Sequence, residues 1–257
     1  MKIMTFNVRV NVPVDGENAW PNRIGKVAQV INQENPIIIG MQELNKKMIN
    51  DIKDEIPNYQ WIGKPRRKDD EYSPILFRTD RIELLDTGTF WLSETPFVEG
   101  SSSWDSAYPR ICTWGEFSLK EDPHHKFRIF NTHLDHESED ARTNGVRVIW
   151  EMISQLNEKE ELPVMLMGDF NDYPNSDSIQ FWENEAQLIN AFSIMTTEEH
   201  LRNTFHDFKG GYEGEPIDYI FTSPNMKLVE AEIITTKINE LYPSDHYPLT
   251  LVVDLPN

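Results

Sequence analysis

Asp169 and Asn171 stand two residues apart at the end of the apolar run Val164-Met165-Leu166-Met167, within the stretch Leu162 to Pro174. In a locally extended chain residues so spaced point to the same side, so a carboxylate and an amide leave together while Phe170 turns away. Such a pair can hold a metal ion, orient a water or hydrogen-bond a phosphoryl oxygen; it can also do no more than close an Asx turn. Five other loop or strand-end positions bring similar groups: Asn7, Glu43, His133, Asp218, and the adjacent Asp245 and His246. Each alone reads equally well as a turn former, a helix cap or a satisfied surface charge. Together the sites hold four carboxylates, two amides and two imidazoles, with no cysteine among them. Hard oxygen donors of this kind suit Mg²⁺ or Mn²⁺ better than structural zinc. A cation held by one or two carboxylates commonly works on phosphate esters, where it neutralises developing charge and helps to make a nucleophile of water.

For these groups to meet, the elements that carry them must end at one edge. Lys2 to Phe6 reads as a strand with Asn7 at its end, and after a polar loop, Ile24, Val27, Ala28 and Ile31 form the stripe of an amphipathic helix that Asn35-Pro36 terminates. Ile37 to Met41 is a second buried strand, from which Gln42 and Glu43 emerge. The second half repeats this arrangement: a strand from Lys126 to Thr132 ending in His133, a helix over Ala141 to Asn157 striped by Val146, Ile149, Ile153 and Leu156, and the strand Val164 to Met167 ending in Asp169. Asn7 to Glu43 spans 36 residues, and so does His133 to Asp169. Between the units lie a helix over Met48 to Ile56 and strands over Tyr59 to Ile62, Ser73 to Phe77, Ile82 to Leu92 and Arg110 to Phe117. Pro216 to Phe221 and Leu249 to Val253 complete the strands, the first carrying Asp218 and the second preceded by the Pro-bracketed loop with Asp245 and His246. Two similar halves point to an α/β fold of four layers, an α/β/β/α sandwich in which two packed mixed sheets carry helices outside.

The 257 residues contain no Pro/Gly/Ser-rich linker or low-complexity run, so one domain over 1–257 is expected. No apolar run approaches the roughly 18 residues of a membrane span, and the first ten residues read as strand and loop rather than as a signal peptide. The expected location is the cytoplasm, with which the single Cys112 agrees. A net charge of −19 opposes tight binding to duplex DNA, which depends on Lys and Arg releasing counterions from phosphates. The dense basic cluster Lys64-Pro65-Arg66-Arg67-Lys68 is followed by Asp69-Asp70-Glu71, and reads either as a solvated loop or as a phosphate-steering rim.

Six motifs stand in order along the chain: TFNV around Asn7, GMQE ending at Glu43, NTHLDH around His133, MGDFN around Asp169, IDYIF around Asp218 and SDHYP around Asp245 and His246. This series resembles that of the endonuclease/exonuclease/phosphatase family, the DNase I-like fold, over about residues 3 to 253. EYSPILFR, YPRICTW and NTHLDHESEDAR look closest to bacterial members related to the deadenylase and nocturnin branch. The resemblance implies that Glu43 is the principal Mg²⁺ ligand, with Asn7 beside it and Asp245 contributing, and that Mn²⁺ can substitute. It implies that Asp169 orients or deprotonates the attacking water, Asn171 holds a phosphoryl oxygen, Asp218 pairs with His246 to favour an imidazolium that contacts the phosphate, and His133 donates to a phosphate oxygen or the leaving group.

Tyr72, Arg110, His136 and Arg142 lie in the subfamily-like segments and are candidates for the substrate pocket, with Arg110 or Arg142 reading a second phosphate through its planar fork. Arg142 reads equally well as a first-turn helix residue paired with a nearby acid. Trp91, Trp104 and Trp114 are candidates for a wall on which a base stacks, or for core. The reading that follows is a Mg²⁺-dependent phosphoesterase acting on a small or short single-stranded phosphorylated substrate. Against it stand a metal-dependent nuclease on longer nucleic acid and, in another class, a noncatalytic binding protein that keeps the fold. A thiol or serine hydrolase fits poorly, because Cys112 is interior to a strand-like run and no Gly-x-Ser-x-Gly elbow occurs.

Overall fold

The structure is a computed structural model that describes residues 1–195 and 202–256. The first half begins with β1 (Lys2–Asn7), α1 (Ile24–Glu34) and β2 (Ile38–Gln42). Helix α1 buries Val27, Ala28, Val30 and Ile31 and stops at Asn35, whose φ of 49° puts it in the left-handed region that Asn tolerates ahead of Pro36. Helix α2 (Lys46–Glu55) starts where the Asn45 side chain accepts a hydrogen bond from Met48 N–H at 3.0 Å. Strands β3 (Tyr59–Ile62), β4 (Ile75–Arg78), β5 (Ile82–Trp91) and β6 (Ile111–Leu119) follow. The second half has β7 (Lys126–His133), α3 (Glu139–Lys159), β8 (Val164–Asp169), α4 (Asp177–Asn184), β9 (Ile189–Asn190), β10 (Asp218–Thr222), β11 (Lys227–Ile233) and β12 (Leu249–Asp254).

These strands form two six-stranded sheets, ordered β11-β12-β1-β2-β4-β3 and β5-β6-β7-β8-β10-β9. Each sheet has one parallel pair, β1 with β2 and β7 with β8, and every other neighbour runs antiparallel. The two strand-helix-strand units of equal span are therefore the two parallel pairs, each joined by a helix as a parallel crossover requires. The expected sandwich is present, with α1 and α2 packing together outside the first sheet and α3 and α4 on the second.

Alternation along the central strands serves both faces. Ile3 and Ile38 pack into the core between the sheets, while Met4, Phe6, Ile39 and Met41 pack under α1 and α2 with Val27, Ile31, Ile49 and Ile52. At one place the sheets approach so closely that only glycine fits: a Cβ on Gly40 would lie 2.6 Å from Asn131 Oδ1 and 2.7 Å from Met167 Sδ. Asn131 ties the sheets there. Its amide donates to Met41 O at 2.8 Å and Pro74 O at 2.9 Å, and its carbonyl oxygen accepts from Gln42 Nε2 at 2.7 Å.

Elements absent from the sequence reading are α4, β9, β11 and the 3₁₀ turns Pro13–Asn18, Trp20–Asn22 and Ala191–Ile194. Trp91 and Trp114 are core residues: Trp114 stacks on Phe130 at 6.4 Å, and Trp91 Nε1 donates to Arg66 O at 2.6 Å. Trp104 lines a separate groove with Phe97, so none of the three forms a stacking wall in the cleft described next.

Candidate active site

The two parallel pairs deliver their polar ends to one place because their registers match. Asn7 lies opposite Gln42, so Glu43 leaves β2 just beyond it, and His133 lies directly opposite Asp169. Gly168 permits that second ending: its φ is 153°, and a Cβ there would meet Thr132 O at 2.1 Å. The polar ends meet across the sheets through Asn7, whose Nδ2 donates to Glu43 Oε1 at 3.0 Å and to Asp169 Oδ2 at 2.8 Å. Asn7 Oδ1 accepts from Arg9 N–H at 2.9 Å. In this arrangement the amide nitrogen, not the oxygen, is turned to the two carboxylates.

Glu43 sits in the left-handed region, with φ 64°, as do Arg9 at 56° and Asn171 at 48°. A backbone conformation that costs about 1–3 kcal/mol for a non-glycine residue persists only where its surroundings over-determine it. At Glu43 they do: Oε1 takes Asn7, and Oε2 takes Val10 N–H at 2.8 Å. Burial disfavours the charged form of Glu43, but those two hydrogen bonds and the nearby His246 and Arg9 outweigh it and hold the carboxyl below the usual range. Asp245 is raised instead, by burial and by Glu43, against the pull of His246 and Arg9.

The loop that brings Asp245 and His246 is anchored to the end of β1. Ser244 Oγ donates to Asn7 O at 2.8 Å. The buried Arg23 guanidinium donates to Val8 O at 2.5 Å, Arg9 O at 2.8 Å, Asn18 O at 2.5 Å and Pro243 O at 3.0 Å, clamping both loops with one side chain. His246 Nδ1 lies 2.9 Å from Asp218 Oδ2, the pairing expected from the motifs, and His246 Nε2 lies 3.8 Å from Asp169 Oδ2. Burial alone would lower the pKa of His246, yet Asp218, Asp169 and Asp245 raise it to about 10, so the ring is an imidazolium at neutral pH. Asp169 is pushed up to about 7 by burial and Asp218, despite His246, Asn7 and the Asn171 N–H that Oδ1 accepts at 2.9 Å. His133 Nε2 is 3.5 Å from Asp169 Oδ2, and burial together with Arg110 and His246 keeps this ring neutral. Asn171 Nδ2 donates to Leu134 O at 3.0 Å.

These groups line or underlie one open cleft of about 770 Å³, with Glu43, His133, Asp169, Asn171, Asp245 and His246 on its surface. Ligand atoms of Glu43, His133 and Asp169 lie within 4.8 Å of one another, as do those of Asp169, Asp218 and His246. The donors facing the cleft are carboxylates and imidazoles without sulfur, and Asp245 is raised partly because Glu43 stands beside it. Such an oxygen-rich set fits a hard divalent cation.

A model of the endonuclease/exonuclease/phosphatase family matches residues 4–246. The chain belongs to this family. Its members are phosphoester hydrolases, and this chain is an enzyme of that kind. A mannosyl-6-phosphatase of Bacteroides thetaiotaomicron VPI-5482 has a structure similar over 99% of this chain and 100% of its own, with a TM-score of 0.93 and 30% identity. An uncharacterized protein of Acanthamoeba polyphaga mimivirus is 30% identical over 99% of this chain and 100% of its own length. The human nocturnin catalytic domain with bound sulfate shares the fold at a TM-score of 0.79 and 17% identity, over 99% of this chain and 93% of that domain.

In this member of the family the other sequence candidates divide. Arg110, His136 and Arg142 line the same cleft, whereas Tyr72 packs edge-on against Trp61 at 5.8 Å and borders only a small recess beside it. Arg110 Nε points to Asp135 Oδ2 at 3.4 Å and Nη2 to His136 Nδ1 at 2.9 Å. Arg142 Nε donates to Asp172 Oδ2 at 2.9 Å and Nη1 to Asp135 O at 3.1 Å. Arg66, Glu71, Tyr108 and Phe205 also line the cleft, and of these Arg66 alone belongs to the cluster that the sequence offers as a phosphate-steering rim. Within the basic cluster only Arg66 turns in: it is buried, whereas Lys64, Arg67 and Lys68 are exposed.

Proposed function

We propose that the chain is a Mg²⁺-dependent phosphoesterase, with Mn²⁺ able to substitute, that hydrolyses a small or short single-stranded phosphorylated substrate by in-line attack of water. The observation that carries this reading is the joining of Glu43 to Asp169 through the single Asn7 amide, with His246 and its partner Asp218 alongside. Glu43 and Asp245, with Asn7 beside them, would hold the ion. Bound there, the ion would neutralise charge on the phosphoryl oxygens and lower the pKa of a water.

The remaining steps belong to the chain's own side chains. Asp169 orients the attacking water and takes its proton, as a carboxylate held between Asn7 and the Asn171 N–H can. His246, kept cationic by Asp218, donates to the phosphoryl oxygen as charge develops on it; one such preorganised donor is worth on the order of 3 kcal/mol of barrier. Asn171 and the neutral His133 donate to the other oxygens or to the leaving group. Among small substrates a phosphorylated sugar is favoured, because the mannosyl-6-phosphatase is similar over the whole of both chains.

The test is a Mg²⁺ and Mn²⁺ activity screen across nucleotides, oligoadenylate and sugar phosphates, with Glu43→Ala as the blank. Turnover is expected to need the ion and to be lost in the blank. Equal turnover in Glu43→Ala would overturn the assignment.

A further inference from the structure

Beyond His133, one wall of the cleft is built from guanidiniums that already have anionic partners. Arg66 Nη2 lies 3.0 Å from Asp70 Oδ1 and 3.2 Å from Glu71 Oε1, with the guanidinium 4.4 Å above the Tyr108 ring. Arg110 faces Asp135 and Arg142 faces Asp172, so three guanidiniums stand against four carboxylates in a chain of net charge −19. A phosphate only accepts hydrogen bonds and carries negative charge, so a second phosphate laid on this wall would compete with carboxylates already bound there. A hydroxyl both donates and accepts. The wall offers both functions: among the described residues Glu71 Oε2 and Arg110 Nη1 make no hydrogen bond. Glu71 and Arg110 share a small recess with His133, which places this acceptor and donor next to the phosphate-binding end. The whole cleft, about 770 Å³, has room for a molecule the size of a hexose phosphate.

We infer that Glu71, with Arg66 and Arg110, forms a subsite that reads the hydroxyl groups of a singly phosphorylated sugar or similar polyol and turns away a second phosphate. The inference rests on the phosphoesterase reading above and adds to it the part of the substrate that is not the phosphate. Arg66 positions Glu71, and Glu71 and Arg110 meet the substrate.

The experiment measures kcat and KM with Mg²⁺ for a hexose monophosphate, the corresponding hexose bisphosphate and phenyl phosphate, in the wild type, Glu71→Ala and Glu71→Gln. The wild type is expected to favour the hexose monophosphate over both others by at least tenfold in kcat/KM. Glu71→Ala should cut the preference over phenyl phosphate at least tenfold, mainly through KM. Glu71→Gln, which keeps an acceptor without the charge, should recover part of that preference while accepting the bisphosphate more readily. A preference unchanged in both variants, or a wild type that favours the bisphosphate, overturns the subsite. A wild type that hydrolyses none of the three although the metal is supplied also overturns the subsite, and the phosphoesterase reading itself has failed only if nucleotides and oligoadenylate are left intact as well.

Discussion

At the scale of single residues, the roles proposed for Asp169 and His246 make opposite demands. The carboxylate must accept a proton, and the imidazolium must keep one. Burial alone would neutralise both, and the neighbours decide the outcome: Asp218 raises both groups, and Asn7 with the Asn171 N–H limits the rise at Asp169. Asp169→Asn keeps the shape, and His246→Gln keeps a donor toward Asp218, so both variants should fold. Each is expected to lower kcat at least about a hundredfold, in line with the loss of one preorganised group, as steady-state kinetics beside a thermal melt will check. Near-normal kcat in either would remove that residue from its role. These residues were legible because each sits at a strand end within a short motif. Arg66 and Glu71 were less so, because LysProArgArgLys followed by AspAspGlu reads either as a solvated loop or as a phosphate-steering rim. Its one inward guanidinium depends on Tyr108 and Trp91, which lie far along the chain.

At the scale of elements, the position of the site depends on the contact between sheets. Asn131 satisfies two backbone carbonyls and Gln42 at the point where Gly40 lets the sheets meet. Asn131→Leu fills the space but takes the amide donor from Met41 O, while Pro74 O keeps Met41 N–H and Gln42 Nε2 keeps Thr5 Oγ1 and Gly40 O; an unmet buried polar group costs about 1–3 kcal/mol. A loss of about 1–3 kcal/mol in urea unfolding is expected; an unchanged stability would show that the seam is held by apolar packing alone. The long stripes and apolar strands that build these sheets were readable from the spacing of Ile, Val and Met. Helix α4 escaped because eight residues give its buried Ile179, Phe181 and Trp182 too few turns to show a period. Strand β11 escaped for another reason: it is largely exposed, pairs only with β12, and carries a register shift between Leu228 and Glu230 that breaks its alternation.

At the scale of the whole molecule, the carboxylates gathered in the cleft predict a response to cations. Glu43, Asp169 and Asp245 stand together with only part of their charge offset by His246 and Arg9. Mg²⁺ at a hundredfold excess over its Kd is expected to add about 2.7 kcal/mol of stability. In a chain of this size that is a rise of roughly 5–10 °C in Tm. A thermal-shift titration should show this in the wild type and lose it in Glu43→Ala; an unmoved melting point in the wild type would remove Mg²⁺ as the ion.

The strand order also fixes when a growing chain can become competent. β1 leaves the ribosome long before β12, one of its two flanking strands, and the loop just before β12 supplies Asp245 and His246. Until β12 is made, β1 therefore keeps one edge unpaired, while β2 pairs its other edge and α1 and α2 cover one face. Stalled or truncated products that stop short of this segment lack Asp245 and His246, so the proposed site is complete only once β12 and the loop before it have been made.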